Sequence, residues 1–240
     1  MTDDNPAGAL QAQLSTFWSS RAESKPAGTM AVRNEVEHRA WLESLRPFLP
    51  QAPADVLDVG TGQGFLALLL ADLGHRVIGV DTAPGMLEAA RADAAGSANT
   101  PDFRLGNAID PPLARSSLDV VSNRQVVWTL LDPTLAFSNW LTLLRPGGMV
   151  LSVHLRQNVF ATGSEYPDAV KDLLPALRLD ATGDATATRA DRNYPDAVAN
   201  LARETGFLDV QLTSLAAVDR FEEGIGTERR WLVLTGRKPA

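Results

Sequence analysis

An α/β fold, built on a doubly wound, mostly parallel seven-stranded sheet, is predicted by three features of this 240-residue chain. Short apolar runs alternate with helical patterns through its middle, as successive βαβ units require. A loop carrying Gly60, Gly62 and Gly64 follows the first run, Val56-Leu57-Asp58-Val59, and opens a helix. The second run, Val77-Ile78-Gly79-Val80, ends on an acid, Asp81, which parallel pairing brings to the same edge of the sheet.

Each element has its own signal. Two helices are expected before the core, near Leu10–Arg21 and Met30–Arg46. The second rests on the apolar pairs Val32/Val36, Val36/Ala40 and Trp41/Leu45. Pro47, Pro50 and Pro53 then punctuate the entry to the sheet. Strands are expected near 54–59, 75–80, 101–105, 117–122 and 148–154. Helices are expected near 62–73, with Phe65, Leu66, Leu69, Leu70 and Leu73 as its stripe, near 83–93, and near 133–145, with Phe137, Trp140, Leu141 and Leu144. Pro146-Gly147-Gly148 stops the last of these and turns into the fifth strand.

Beyond Leu155 the alternation breaks. Residues 156–193 read as an insertion with a helix near 167–177 and a small-residue stretch at 181–188, either a lid beside the crevice or a surface loop. Tyr-Pro-Asp-Ala-Val occurs at 166–170 and again at 194–198, which reads as two generic helix starts and not as a duplication. The second copy opens a helix with Val198, Leu201, Ala202 and Thr205 on one face, ended by Gly206. Leu208–Leu215 and Arg230–Thr235 supply the final two strands. The chain is thus expected to be one domain, 1–240. It comprises an N-terminal helical cap (1–52), a cofactor-binding core (53–155), the insertion (156–193) and the C-terminal part of the core (194–240).

Composition narrows the partners. A net charge of −7 and the lack of a basic patch argue against nucleic acid as a substrate. Without cysteine there is no disulfide, thiolate nucleophile or zinc-thiolate site. His38, His75 and His154 are scattered, so no metal site is expected. The longest apolar run, Phe65 to Ala71, is too short to span a membrane, and the acidic start carries no signal-peptide pattern. A cytoplasmic enzyme is expected, as monomer or homodimer. Arginine greatly outnumbers lysine and alanine is abundant, which fits a GC-rich genome and, with it, a secondary metabolite as substrate.

The glycine loop carries the chemistry. Glycines let the backbone turn sharply and approach a ligand, and an acid at Asp81 suits ribose hydroxyls, so the unit reads as a nucleoside-cofactor site. The spacing is G-x-G-x-G and not the dinucleotide G-x-G-x-x-G. Asp58 also stands two residues before the first glycine, where a pyrophosphate would want donors. A cationic sulfonium or an ammonium tolerates a carboxylate there, which favours S-adenosylmethionine over NAD. Alternatively, Asp58 only bonds loop amides.

The run Asp-Val-Leu-Asp-Val-Gly-Thr-Gly-Gln-Gly at 55–64 resembles the first motif of the class I S-adenosylmethionine-dependent methyltransferases. The resemblance continues through 74–91, Phe-Arg-Leu-Gly-Asn-Ala at 103–108, Leu118 to Leu130, and Leu-Leu-Arg-Pro-Gly-Gly at 143–148. It covers the central 100 or so residues in the family's order and is closest to the broad small-molecule group called type 11. It implies a Rossmann-like sheet with its last strand antiparallel, S-adenosyl-L-methionine as cofactor, and a helical cap that Phe17, Trp18, Trp41 and Phe48 either line or only pack against the core.

By that resemblance the cofactor-binding residues are Asp58, Gly60, Thr61, Gly62, Gly64, Asp81, Thr82, Met86, Gly106, Asn107, Ala108 and Asn123. Asn107 stands where the family usually has an acid, and its carbonyl oxygen can accept the adenine amino bond. Met86 either packs the adenine or serves as helix core. The fourth strand ends in Ser122-Asn123-Arg124-Gln125, without the Asn/Asp-Pro-Pro-aromatic run of enzymes that methylate base amines. Arg124 binds an acidic substrate or the cofactor carboxylate, or forms a structural ion pair. His154, ending the fifth strand, is the best-placed catalytic base, or else a packed histidine. Tyr166 is weaker, His38 on the N-terminal helix is within reach of the cap, and His75 lies on the opposite edge. The expected activity is methyl transfer to a small organic molecule at O, N, S or C. The alternatives are a cofactor-binding regulator or partner subunit without turnover, and an NAD-dependent oxidoreductase.

Overall fold

The apolar runs pair side by side because a parallel strand buried on both faces needs apolar residues at every position. The computed structural model describes residues 6–24, 34–156, 194–227 and 229–240. Its strands are β1 (Asp55–Val59), β2 (Arg76–Asp81), β3 (Asp102–Leu105), β4 (Leu118–Arg124), β5 (Leu144–Leu155), β6 (Leu208–Ser214) and β7 (Trp231–Arg237). They form one sheet in the order β3-β2-β1-β4-β5-β7-β6. The first five run parallel, and β7 is antiparallel to both β5 and β6. Strand order reverses between β1 and β4, and a crevice opens outside the carboxyl ends of strands at such a point.

Seven helices are described: α1 (Pro6–Ser24), α2 (Glu35–Leu45), α3 (Phe65–Asp72), α4 (Pro84–Asp93), α5 (Pro133–Leu143), α6 (Tyr194–Glu204) and α7 (Ala216–Gly224). One face of the sheet is covered by α2, α3, α4 and α7, with Trp41, Leu45, Leu66, Leu70, Leu87, Val218 and Trp231 in a single core. The other face carries α5 and α6, packed through Phe137, Trp140, Val198, Leu201 and Phe207. α1 lies apart from both layers and packs on α4 and on the segment after β4, through Leu14, Trp18, Ala22, Met86 and Trp128.

Local chemistry sets the boundaries. Asn34 caps α2 by accepting from Glu37 N at 3.0 Å, so that helix begins at Glu35 and not at Met30, and residues 30–33 lie outside the described region. α1 starts at Pro6, ahead of the Leu10 expected, with proline in the first turn. α3 starts at Phe65 and not at 62, because Gly62 and Gly64 are left-handed (φ +56° and +83°). Asp132 caps α5 through Leu135 N at 2.8 Å. That helix stops at Leu143, and β5 already begins at Leu144, running through Pro146-Gly147-Gly148. α7 was not foreseen. The expected helix near 167–177, Tyr166 and the stretch at 181–188 lie outside the described residues.

At the amino ends of the strands Arg145 bridges Asp119 (2.7 Å) and Asp55 (2.9 Å), and Arg76 joins Asp55 at 2.7 Å. This chain fastens β1, β2 and β4 at the edge away from the crevice. At the other end Trp140 Nε1 donates to Ala108 O at 2.7 Å and Asn139 Nδ2 to Ile109 O at 2.9 Å, so α5 holds the β3–β4 connection that leads out of the crevice.

Candidate functional site

The loop after β1 is a folded bracket. Thr61 N donates to Val80 O at 2.9 Å, and Gly64 N donates to Thr61 O at 2.9 Å. Thr61 sits over Gly79 of β2, where an added Cβ would stand 2.9 Å from the Thr61 hydroxyl and 2.8 Å from Phe103. Gly60 has φ +61°, and a Cβ there would run into both methyls of Val126. Gly62 is also left-handed, yet its Cβ would meet nothing within 4 Å. The loop therefore packs through Gly60 and Gly64 and leaves an open side at Gly62.

Two carboxylates hold this bracket. Asp58 is buried and accepts from the Thr61 hydroxyl (2.8 Å) and the Ser122 hydroxyl (3.0 Å), a contact set by the β1–β4 register that pairs Asp58 with Ser122. Burial pushes its carboxyl up to about 7 against those two hydrogen bonds and the charge of Arg124. Asp81 accepts from Gly62 N and from Ala83 N, both at 2.9 Å. Burial raises it too, opposed by these N–H groups. The alternative that Asp58 only bonds loop amides is corrected: its partners are two hydroxyls, and Asp81 bonds the amides.

The remaining residues line up along the same edge. Thr82 is roofed by α1: its carbonyl accepts from Ser15 Oγ at 2.6 Å and its hydroxyl from Gln11 at 3.4 Å. Ser19 Oγ accepts from Gly85 N at 3.4 Å. Met86 packs with Ala22, Ala83 and Trp18 where α1 meets α4. Gly106 N donates to Asp81 O at 3.0 Å, which ties β3 to the acid. Asn107 folds its Oδ1 onto Ile109 N at 2.8 Å, leaving one oxygen lone pair and its amide hydrogens for a ligand. Ala108 is buried, with its carbonyl committed to Trp140.

Asn123 and His154 stand on the opposite sheet face from Asp58, in a buried polar chain. Ser152 Oγ donates to Asn123 Oδ1 at 2.6 Å and meets His154 Nε2 at 2.8 Å. The one hydroxyl proton goes to Asn123, so His154 is the donor at Nε2. Among the described residues Asn123 Nδ2 and His154 Nδ1 have no hydrogen-bond partner. A catalytic base at His154 would need to titrate near neutral pH. Instead the histidine is completely buried, edge-on to the Tyr194 ring at 5.4 Å, and burial pulls it down to about 3. It is neutral at physiological pH.

Several neighbours carried no usable sequence signal. Gly79, Ser122 and Ser152 act across strands, so only the register reveals them. Gln125 leaves β4 with φ +58°, its N–H on Val153 O and its Oε1 accepting from Leu155 N. Among the other histidines, His38 pairs with Asp72 at 2.8 Å, and His75 accepts from Ala54 N at 3.3 Å. Among the described residues no three His, Cys, Asp or Glu side chains converge as a metal ion would need, and no helix is long and apolar enough to cross a membrane.

Two carboxylates around the glycine loop suit a nucleoside bearing a positive charge and oppose a pyrophosphate, whose phosphates need donors. The open side at Gly62 gives such a ligand close backbone access.

Comparison with known proteins agrees. Residues 57–152 match the model of the methyltransferase domain family. A probable S-adenosylmethionine-dependent methyltransferase of Mycolicibacterium smegmatis is 38% identical over 116 residues, 48% of this chain and 44% of that protein. The chain thus spans less than half the length of that relative. The ubiquinone biosynthesis O-methyltransferase of Dinoroseobacter shibae is 30% identical over 177 residues, 68% of this chain and 70% of the relative. Among solved structures, phosphoethanolamine N-methyltransferase 2 of Haemonchus contortus, in complex with S-adenosyl-L-methionine, shares the fold. Its TM-score is 0.58 at 19% identity, over 88% of this chain and 54% of that one. The chain belongs to the class I S-adenosylmethionine-dependent methyltransferases.

Proposed function

We propose that this protein transfers the methyl group of S-adenosylmethionine to a hydroxyl of a small organic molecule. The observation that carries the cofactor half is the glycine loop clasped between Asp58 and Asp81 with its open side at Gly62. In this reading Asp81 accepts from the ribose hydroxyls through its remaining lone pairs. Gly106, Asn107 and Ala108 border the adenine, with Asn107 reading its amino edge and Met86 and Thr82 closing one side under α1. Thr61, Gly62 and Gly64 give backbone access, with Gly60 as the pivot of the turn.

When bound, the sulfonium supplies an activated methyl and leaves as a neutral thioether, so the protein's own task is alignment and exclusion of water. The buried chain of His154, Ser152 and Asn123 suits alignment. His154 Nδ1 is an uncommitted acceptor for a substrate hydroxyl and Asn123 Nδ2 an uncommitted donor. At about 3 the imidazole orients a hydroxyl and does not store its proton. Trp128, buried against Trp18 (6.2 Å between centroids) and packed near Tyr194, gives this side of the site an apolar floor. The O-methyltransferase activity named for the relative supports a hydroxyl acceptor.

The demethylated cofactor, S-adenosylhomocysteine, is expected to raise the melting temperature by roughly 5–10 °C at a hundred times its Kd, and NAD to leave it unchanged. Stabilisation by NAD alone would overturn the cofactor reading. The rival of a cofactor-binding regulator is favoured by one observation, the weak basicity of His154. Product formation from hydroxylated aromatic acceptors decides between the two.

A further inference from the structure

Arg124 ends β4 on the sheet face that also carries Ser122 and Asp58, half-buried beside the first turn of α3. Its guanidinium carbon stands 3.9 Å from the centroid of Phe65, the first residue of α3. Trp231 and Trp41 wall it at 5.3 Å and 6.0 Å. The three rings pack edge to face, 5.1 Å between Trp41 and each of the other two. A guanidinium stacked on aromatics keeps its positive charge while the rings leave its in-plane N–H groups free. Burial lowers Arg124 only to about 10, so it remains charged at neutral pH.

Three further polar groups lie beside these rings. The indole N–H groups of Trp41 and Trp231 are buried and, among the described residues, unpartnered, as is the hydroxyl of Ser44, one turn along α2 from Trp41. The nearby acids Asp58, Glu37 and Glu222 act on Arg124 through their charge. Asp58 and Glu222 are taken up by hydroxyls, Glu222 by Thr227 at 2.6 Å. Among the described residues no hydrogen-bond acceptor meets this half-buried fork of five donors.

We propose that Arg124, stacked on Phe65 and walled by Trp41 and Trp231, is a carboxylate receptor opening on the cofactor crevice. This rests on the reading of that crevice as the S-adenosylmethionine site. Two carboxylates share the required chemistry: the one on the amino-acid head of the cofactor, and one carried by the methyl acceptor. With Asp58 beside Arg124, the pair matches an α-amino acid, whose ammonium and carboxylate carry opposite charges. Specificity for an acidic acceptor is the other consequence of the same fork.

Calorimetry on the full chain with Arg124→Met and Arg124→Lys separates the cases. The probes are S-adenosylhomocysteine, 5′-methylthioadenosine, which lacks the amino-acid head, and 3,4-dihydroxybenzoate against catechol on S-adenosylhomocysteine-loaded protein. If the fork reads the cofactor, Arg124→Met weakens S-adenosylhomocysteine roughly 10- to 100-fold and leaves 5′-methylthioadenosine unchanged. If it reads the acceptor, S-adenosylhomocysteine binds as before, and the preference for 3,4-dihydroxybenzoate over catechol disappears. Arg124→Lys keeps the charge without the fork and should fall between the wild type and Arg124→Met. It also serves if the methionine variant does not fold. Unchanged binding of both carboxylates overturns the proposal and leaves Arg124 as a structural cation. Wild-type binding of S-adenosylhomocysteine separately tests the cofactor reading.

Discussion

At the scale of single residues, the two acids of the glycine loop differ in what they hold. Asp81 takes two backbone N–H groups, one from Gly62 and one from Ala83, and so fastens the loop and the start of α4 at once. Asp81→Asn replaces one acceptor oxygen by an NH₂ that must face one of those donors. Loss of charge-assisted bonds to loop and ribose is expected to weaken S-adenosylhomocysteine by about 1–3 kcal/mol in calorimetry. Unchanged affinity would remove Asp81 from the site. Asp58 and Asp81 were legible in the sequence because a strand–glycine–helix–strand unit places them by local rules alone. The partner of Asp58 was not, since Ser122 comes beside it only through the β1–β4 register. Nor was the state of His154: an apolar strand end says where a histidine lies, while its burial depends on Tyr194, 40 residues later in the chain, folding over it.

At the scale of elements, the loop shows how alike glycines serve unlike ends. Gly60 and Gly62 both have φ near +60°, so an alanine at either costs about 1 kcal/mol in backbone strain. At Gly60 the methyl also collides with Val126, and overpacking brings the expected loss to about 2–4 kcal/mol. At Gly62 the methyl enters open space. Urea unfolding should therefore find Gly60→Ala much the less stable. Gly62→Ala should lose little stability, and calorimetry should find its cofactor affinity reduced well beyond that loss. Equal loss of stability in the two variants would contradict this division. Helix and strand boundaries were less legible than the elements themselves. α5 carries its apolar stripe up to Leu144, yet that residue already pairs with Leu118 as the start of β5. α7 escaped notice because its nine residues bury mainly Val218 and Glu222, too few positions to print a helical period.

At the scale of the whole molecule, two buried groups on opposite faces of the sheet oppose each other as pH changes. His154 falls from an ordinary 6.5 to about 3 in the fold. Between those values the unfolded chain binds the extra proton, so this group favours unfolding as pH falls below about 6.5. Asp58 rises from 3.8 to about 7. Between those values the folded chain holds the extra proton, so the stability linked to Asp58 is present at low pH and is lost as pH rises through about 7. The windows overlap from about 4 to 6.5, where the two slopes, each at most about 1.4 kcal/mol per pH unit, cancel. The raised Asp81 adds to the sense of Asp58, and the lowered Asp55 to that of His154. Comparison with the wild type removes both contributions. Asp58→Asn should unmask the histidine, its urea midpoint falling relative to wild type as pH drops from 6.5 to 4. His154→Asn should unmask the acid, its midpoint falling relative to wild type as pH rises over the same interval. Both variants lose packing or hydrogen bonds, which shifts each curve as a whole and leaves its slope. Slopes of the same sign in the two variants would mean that one of these groups is not buried as described.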